Sequence, residues 1–210
     1  MVGLTAPAHM LRAMESAVQR FLERPEKCNE ASAVVLERAS FALLEYLDVT
    51  MAGAQHSAVG LFPQYRDAQL LAGSDRIHPA DLWSLEWRWI RPERTAFEHR
   101  STTAEMGDRA SMDHAVLRVM QKGDRKAAAE LRDLSLAVAE ADPQGHSEIF
   151  WLICAAYFEA IASDLLPVDL YVKRVASQVL MHFASFVRGE RHVSERLARD
   201  MLFFCAQSLP

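Results

Sequence analysis

The eight histidines have the most versatile chemistry in this chain of 210 residues, because an imidazole can accept a phosphoryl group, move a proton or bind a metal. A phosphoacceptor needs solvent exposure and a neighbouring cation, since the transferring phosphoryl oxygens are negatively charged. Three histidines considered as phosphoacceptors all lack a lysine three residues further on. His99 lies near arginines but also lacks a phosphoacceptor motif. We therefore expect no working phosphohistidine. The histidines are His9, His56, His78, His99, His114, His146, His182 and His192, and the three candidates are His114, His182 and His192.

The sequence lacks the residue spacings that metal sites and nucleophilic catalysis need. Neither His-x-x-x-His nor Glu-x-x-His occurs, so no metal site on facing helices is expected. Cys28, Cys154 and Cys205 are far apart and form no Cys-x-x-Cys pair. The chain has no glycine-rich phosphate loop and no Gly-x-Ser-x-Gly turn. The sequence predicts a protein that is not an enzyme, with no catalytic residue, no metal and no cofactor.

Apolar residues recur at helical spacing along most of the chain, and no strand pattern of similar strength occurs. The sequence therefore predicts an all-α protein, in which an amino-terminal helical hairpin packs on a carboxy-terminal helical bundle. The division is residues 1–60 for the hairpin, 61–100 for a tryptophan-rich connecting segment and 101–210 for the bundle, with one compact domain as the alternative. The predicted helices are 6–24, 29–47, 62–71, 109–121, 125–141, 147–165, 168–188 and 194–209, with Asp124 and Ser194 as predicted N-caps.

The connecting segment contains three tryptophans within seven residues. Trp83 and Trp87 have the i,i+4 spacing of a helix, whereas Trp87 and Trp89 have the i,i+2 spacing of a strand, so one regular structure cannot face all three the same way. They are expected to fill seams between helical layers. The alternative is a partner-binding surface, because tryptophan, tyrosine and arginine dominate binding hot spots. Its residues would be Tyr65, Arg66, Arg76, Trp83, Trp87, Arg88 and Trp89.

Charge and hydropathy limit the possible partners. The net charge of −5 gives no broad attraction to nucleic acid or to an anionic membrane. The most apolar run, residues 149–162, contains Glu159 and is shorter than the roughly 20 residues that cross a bilayer. The amino terminus has no secretory signal pattern, and the three cysteines suit reduced thiols. We expect a cytoplasmic protein that does not insert into membranes.

Three stretches of the chain carry a resemblance to a known family: LFPQYRDAQLLAGSDRIHPADLWSLEWRW (61–89), LLPVDLYVKRVASQVL (165–180) and SERLARDMLFFCAQ (194–207). They resemble the amino-terminal region of the hybrid chemosensory histidine kinases PilL and ChpA, and the related scaffold protein FimL. The resemblance runs from residue 8 to the end and is least distinct over 92–145. It implies a non-catalytic scaffold of a two-component system that controls type IV pili and twitching motility, with protein partners and an association with the cell pole.

The same resemblance implies a degenerate histidine phosphotransfer fold. Such domains carry a pattern similar to His-x-x-Lys-Gly-Ser, and Arg38-Ala39-Ser40 resembles its end, which puts Val35 at the phosphoacceptor position. Valine cannot carry phosphate. Two alternatives remain open: an active phosphotransfer domain that uses another histidine, and a helical sensor with an apolar ligand cavity lined by the tryptophans.

Overall fold

The computed structural model describes residues 4–54, 56–91, 109–143 and 145–208. Within these ranges the regular structure consists of eight α-helices and three short 3-10 turns, without a strand. The predicted all-α class is therefore confirmed. The chain forms two compact units, Met1–Glu86 and Trp87–Pro210. The predicted three-part division at residues 60 and 100 remains a prediction.

The first unit contains helices α1 (Thr5–Glu23), α2 (Glu30–Met51) and α3 (Phe62–Ala72). Pro25 ends the first helical pattern and opens a 3-10 turn. Helix α2 then begins in a capping box, in which Asn29 Oδ1 accepts from Ser32 N at 3.0 Å and Ser32 Oγ accepts from Asn29 N at 2.9 Å. The α1–α2 hairpin therefore has a defined corner.

One apolar cluster holds the first unit together. Ala13 and Ala17 on α1 are small and allow close approach, and both are almost fully buried together with Met10. Tyr65 and Ala68 of α3 are buried as well, and α3 makes its most extensive contacts with α1. The cluster consists of Ala6, Met10, Ala13, Ala39, Leu43, Ala58, Leu61, Tyr65, Ala68, Ile77 and Leu82.

The second unit contains five helices, and each helix start with a described cap has a side-chain acceptor. The caps are Asp124, Asp169 and Ser194, residue types that satisfy free backbone N–H groups. Asp124 and Ser194 were predicted. The helices are α4 (Arg109–Lys122), α5 (Arg125–Ala141), α6 (Gly145–Ala162), α7 (Leu170–Val187) and α8 (Glu195–Gln207).

Helix α6 is the centre of the second unit, and it packs most extensively against α5. Its apolar residues point in all directions, as expected for a helix that is covered on most sides. Trp151, Tyr157 and Phe158 are almost completely buried. The hydroxyl of Tyr157 donates a 2.7 Å hydrogen bond to the carbonyl of Val172 on α7, so even the polar atom of this ring is satisfied.

Candidate functional site

Tyr65 belongs to the core of the first unit, although it was predicted as a partner-binding residue. Its side chain is only 3% exposed. The hydroxyl accepts from Gln69 Nε2 at 2.9 Å and donates to Asp81 Oδ2 at 3.4 Å. Asp81 Oδ2 also accepts from the backbone N–H of His78 at 3.0 Å, within the capping box of the turn Pro79–Leu82. A partner could not reach this ring in the observed conformation, and Tyr65 positions the turn instead.

Two other predicted residues of the first unit are exposed, and one is half-buried. Arg66 donates from Nε and Nη2 to one oxygen of its neighbour Asp67, Oδ1, at 3.1 and 2.9 Å. Arg76 is exposed in the loop after α3. Trp83 is half-buried directly after the turn Pro79–Leu82. Their role in partner binding remains a prediction.

The tryptophan segment has no regular secondary structure from Trp83 to Arg91, and from Trp83 to Ile90 half-buried and exposed residues alternate along it. Trp87 and Trp89 are half-buried, while Arg88 between them is exposed. The two indoles meet edge to face with ring centroids 4.8 Å apart. The conflicting spacings in the sequence thus reflect an extended chain in which Trp87 and Trp89 share a face.

Contacts with the start of α6 hold the end of this segment in place. We call Trp87–Arg91 the strap. The indole of Trp89 stacks on the imidazole of His146, with centroids 4.8 Å apart and planes 13° from parallel. Arg91 Nη2 donates to Oε1 of Glu148 at 2.6 Å, and Glu148 is only 6% exposed. The strap therefore has an aromatic anchor and an ionic anchor on one helical turn.

A groove lies beside this aromatic stack and is the candidate functional site. It has a volume of about 750 Å³ and is open to solvent. The strap supplies Trp89, the start of α6 supplies His146, and the α7–α8 connection supplies a cation and an imidazole. The lining residues are Trp89, Asp142, His146, Ser147, Arg191, His192, Val193, Ser194 and Glu195.

Arg191 is the fixed cation of the groove. Its Nη1 donates to the carbonyl of Phe186 at 3.0 Å, and its guanidinium lies 4.2 Å from the centroid of the Phe186 ring. Its Nε is 3.4 Å from Oδ2 of Asp142, which is an ion pair rather than a short hydrogen bond. Because the arginine is braced by a ring and a carbonyl, it presents its charge in one place with little loss of side-chain entropy on binding.

The groove carries charges of both signs. Asp142 and Glu195 are its acids, and His146 and His192 are exposed imidazoles. The hydroxyl of Ser194 accepts from Leu197 N at 3.2 Å and is therefore engaged as the cap of α8. An aromatic surface surrounded by charges of both signs is suited to binding a polar peptide or protein surface.

Sequence reasoning did not find most of this groove. Trp89 is among the predicted binding residues, whereas Arg191 is not, and His146 is one of eight histidines without a motif. A signal was available: Pro143 and Gly145 precede one long apolar helix, and Gly189 precedes another helix start. Two polar segments that interrupt the helices next to a core helix indicate a surface concavity only when the tertiary fold is known.

The histidines and cysteines of the described residues lie at several different places in the fold. No group of three or more His, Cys, Asp or Glu residues there could hold a metal ion. His114 is exposed on α4, and Val35, the residue at the proposed phosphoacceptor position, is half-buried on α2. His99 lies outside the described residues. The phosphotransfer-like character of the hairpin remains a prediction.

Burial determines the titration of three groups in the second unit. It raises the pKa of Cys154 well above its usual range and that of Cys205 to about 12. It also raises the pKa of the buried Tyr157 phenol. Deprotonated thiols are the reactive form, so Cys154 and Cys205 are unreactive in the folded protein.

The pKa of His182 shifts in the opposite direction, downwards. Burial lowers its pKa, and repulsion from His192 lowers it further, while Glu190 opposes the shift. Its imidazole is 4.4 Å from the Phe150 ring, centroid to centroid. An imidazolium is poorly solvated beside such rings, so His182 is held neutral.

These features define an all-helical protein whose described residues form an open groove with aromatic and charged walls. The family profile described as "FimL scaffold protein second domain" matches residues 106–210, which is half of the chain. The chain therefore belongs to the FimL scaffold protein family. It matches no curated protein and no solved structure significantly. Among the described residues, no helix is long and apolar enough to cross a membrane.

Proposed function

We propose that this protein is a non-catalytic scaffold that joins protein components of a chemosensory system controlling type IV pili and twitching motility. The observation that carries the proposal is the groove of the second unit, with Trp89 stacked on His146 beside the braced Arg191. The unit that contains it includes the match to a scaffold protein domain. A cytoplasmic location near the cell pole is part of the same proposal.

The groove has the composition of a protein-binding hot spot. Tryptophan and arginine contribute most to binding when they are preorganised, and here both are fixed by neighbours before any partner arrives. The charges next to them would orient the partner, because complementary charges select a register even where they add little affinity. Arg88 is exposed on the strap and does not line the groove.

Site-specific photo-crosslinking in the source cells tests this function. A photoreactive residue at His192 should capture components of the pilus or chemosensory machinery. Arg191→Glu should reduce that capture and the diameter of twitching zones, because it reverses the fixed charge of the groove. Arg174→Glu is the matched control, since Arg174 is exposed on α7 and does not line the groove.

Two results would contradict the proposal. One is an unchanged set of captured proteins in Arg191→Glu cells whose protein is folded and present at the normal level. The other is capture that depends equally on Arg174. Either result would show that the groove does not select partners.

A further inference from the structure

Helix α1 carries an apolar seam that its own unit does not cover. The seam consists of Leu4, the N-cap residue of α1, and Leu11, Val18 and Leu22 within the helix, and their exposed fractions range from 48% to 73%. At 100° per residue these four positions fall within about 40° of one another on the helix. The opposite side of α1 is complete, because Met10, Ala13 and Ala17 are already buried in the core. The seam is therefore a second apolar face with no role in folding the unit.

The spacing of the seam is that of the contact positions in a pair of packed helices. Leu4, Leu11 and Val18 repeat every seven residues, and Leu22 follows after four more, which are the intervals of coiled-coil contact positions. In a symmetric antiparallel pair centred on residue 13, Leu4 is level with Leu22 of a second copy. Ala8 is level with Val18 of the second copy in the same arrangement, so Leu4 and Leu22 cover each other and Val18 lies over a small residue.

The charges on α1 fit the same register. Leu11 lies level with Glu15 of the second copy. Arg12 is the next residue along the helix, so it is displaced from that Glu15 by only about 1.5 Å along the helix axis. The two-fold axis repeats this Arg12–Glu15 pair on the other side. Within the described part of the chain, neither Arg12 nor Glu15 has an interaction partner of its own. We propose that two copies of this chain associate through α1 in this antiparallel register.

The proposed interface is small. Stable complexes usually bury about 800 Å² per partner, and four apolar side chains on one helix provide less. The dimer is therefore reversible, with a dissociation constant in roughly the micromolar range. A reversible dimer doubles the number of partner-binding grooves per particle when the protein is concentrated.

Sedimentation velocity of the 210-residue chain over a wide micromolar range tests the proposal. The wild type should shift from monomer to dimer with increasing concentration. Leu11→Glu should remain monomeric, with unchanged helical circular dichroism because Leu11 is exposed. Leu44→Glu is the matched control, because Leu44 is a similarly exposed leucine on α2.

Charge reversal tests the register. Arg12→Glu alone brings two carboxylates together across the two-fold axis, and Glu15→Arg alone brings two guanidinium groups together, so each variant should dimerise at least tenfold more weakly. An equimolar mixture of the two restores both attractive pairs and should dimerise at least as well as the wild type. A monomeric wild type, a dimer that persists in Leu11→Glu, loss in Leu44→Glu instead, or no recovery in the mixture would each overturn the proposal. None of these results affects the groove.

Discussion

Gly73 ends α3 in a conformation that other residues adopt at a cost. Its φ is +78°, and a Cβ at this position would lie 1.5 Å from Nη1 of Arg20. We expect Gly73→Ala to destabilise the first unit by about 1–2 kcal/mol through left-handed strain, and to displace the Arg20 guanidinium. Urea denaturation measures the loss. Gly60→Ala is the control, because nothing lies within 4 Å of its Cβ position; equal losses in the two variants would contradict the explanation.

His182 should make the protein sensitive to mild acid. Its folded pKa lies below its ordinary value of about 6.5, so its contribution to stability is present above pH 6.5 and is lost as the pH falls through the folded pKa. Between pH 7.5 and about 5.5 the free energy of unfolding should fall. His182→Gln should flatten this decline, whereas the exposed His146→Gln should not. An identical slope in wild type and His182→Gln would exclude this residue as the cause.

At the scale of the element, Asp169 determines where α7 begins. Its Oδ1 accepts from the N–H groups of Tyr171 and Val172 at 2.9 Å each. Asp169→Ala should therefore lower the free energy of unfolding by about 1 kcal/mol, whereas Asp169→Asn keeps an acceptor and most of the stability. Thermal denaturation followed by circular dichroism measures both. A loss as large for asparagine as for alanine would show that charge, not capping, is responsible.

The stability of the strap should depend on the ion pair between Arg91 and Glu148. Arg91→Gln weakens the contact with the buried carboxylate of Glu148 and should cost about 1 kcal/mol, because hydrogen bonds to charged groups contribute more than neutral ones and Arg91 is half exposed. Adding Glu148→Gln should recover part of the loss by removing the buried charge. Amide hydrogen exchange at Trp89 reports strap opening. Additive losses in the double variant would show that the two residues are not coupled.

Helix positions could be predicted from the sequence because they depend on local periodicity and caps. Asp124 and Ser194 were identified as caps, and the all-α class follows from the same patterns. The predicted start of α7 at Val168 is two residues early, because Asp169 turns its side chain back to the first N–H groups. Such a shift depends on side-chain geometry rather than on periodicity.

The candidate site could be predicted only in part. Trp89 is unusual in the sequence and was recognised, but its partner His146 is 57 residues away and has no distinguishing neighbours. Arg191 occupies a segment that reads as solvent-exposed, and only the fold brings it beside Asp142 and Phe186. Tyr65 has the opposite problem: its residue type indicates a binding surface, while tertiary packing buries it.

At the scale of the whole molecule, buried acids in the second unit should make stability fall in alkali. Cys154, Cys205 and Tyr157 have raised folded pKa values, so their contribution is complete below the ordinary values of about 8.5 for thiols and 10 for tyrosine. It decreases as the pH rises above them, because only the unfolded chain ionises. Urea denaturation at about pH 8 and pH 10 should show the decrease.

A cysteine variant separates the thiol contribution from general alkaline effects. Cys205→Ala should reduce the alkaline decline, while Cys28→Ala should leave it unchanged, because Cys28 is exposed. Thiol-reactive dyes should modify Cys28 quickly and the other two cysteines only on unfolding. Rapid labelling of Cys154 in the native protein would contradict its burial.

Trp151 also gives the protein an internal optical reporter. It is 1% exposed among Phe150, Phe183 and Phe186, while the other three tryptophans are half-buried. Its emission should be the most blue-shifted of the four and the least accessible to iodide. The His182 ring lies 6.1 Å away, and a protonated imidazole quenches indole by accepting an excited electron. The fluorescence intensity at the blue edge of the emission should therefore decrease as His182 gains its proton. The fluorescence of Trp151 would then report the protonation of His182.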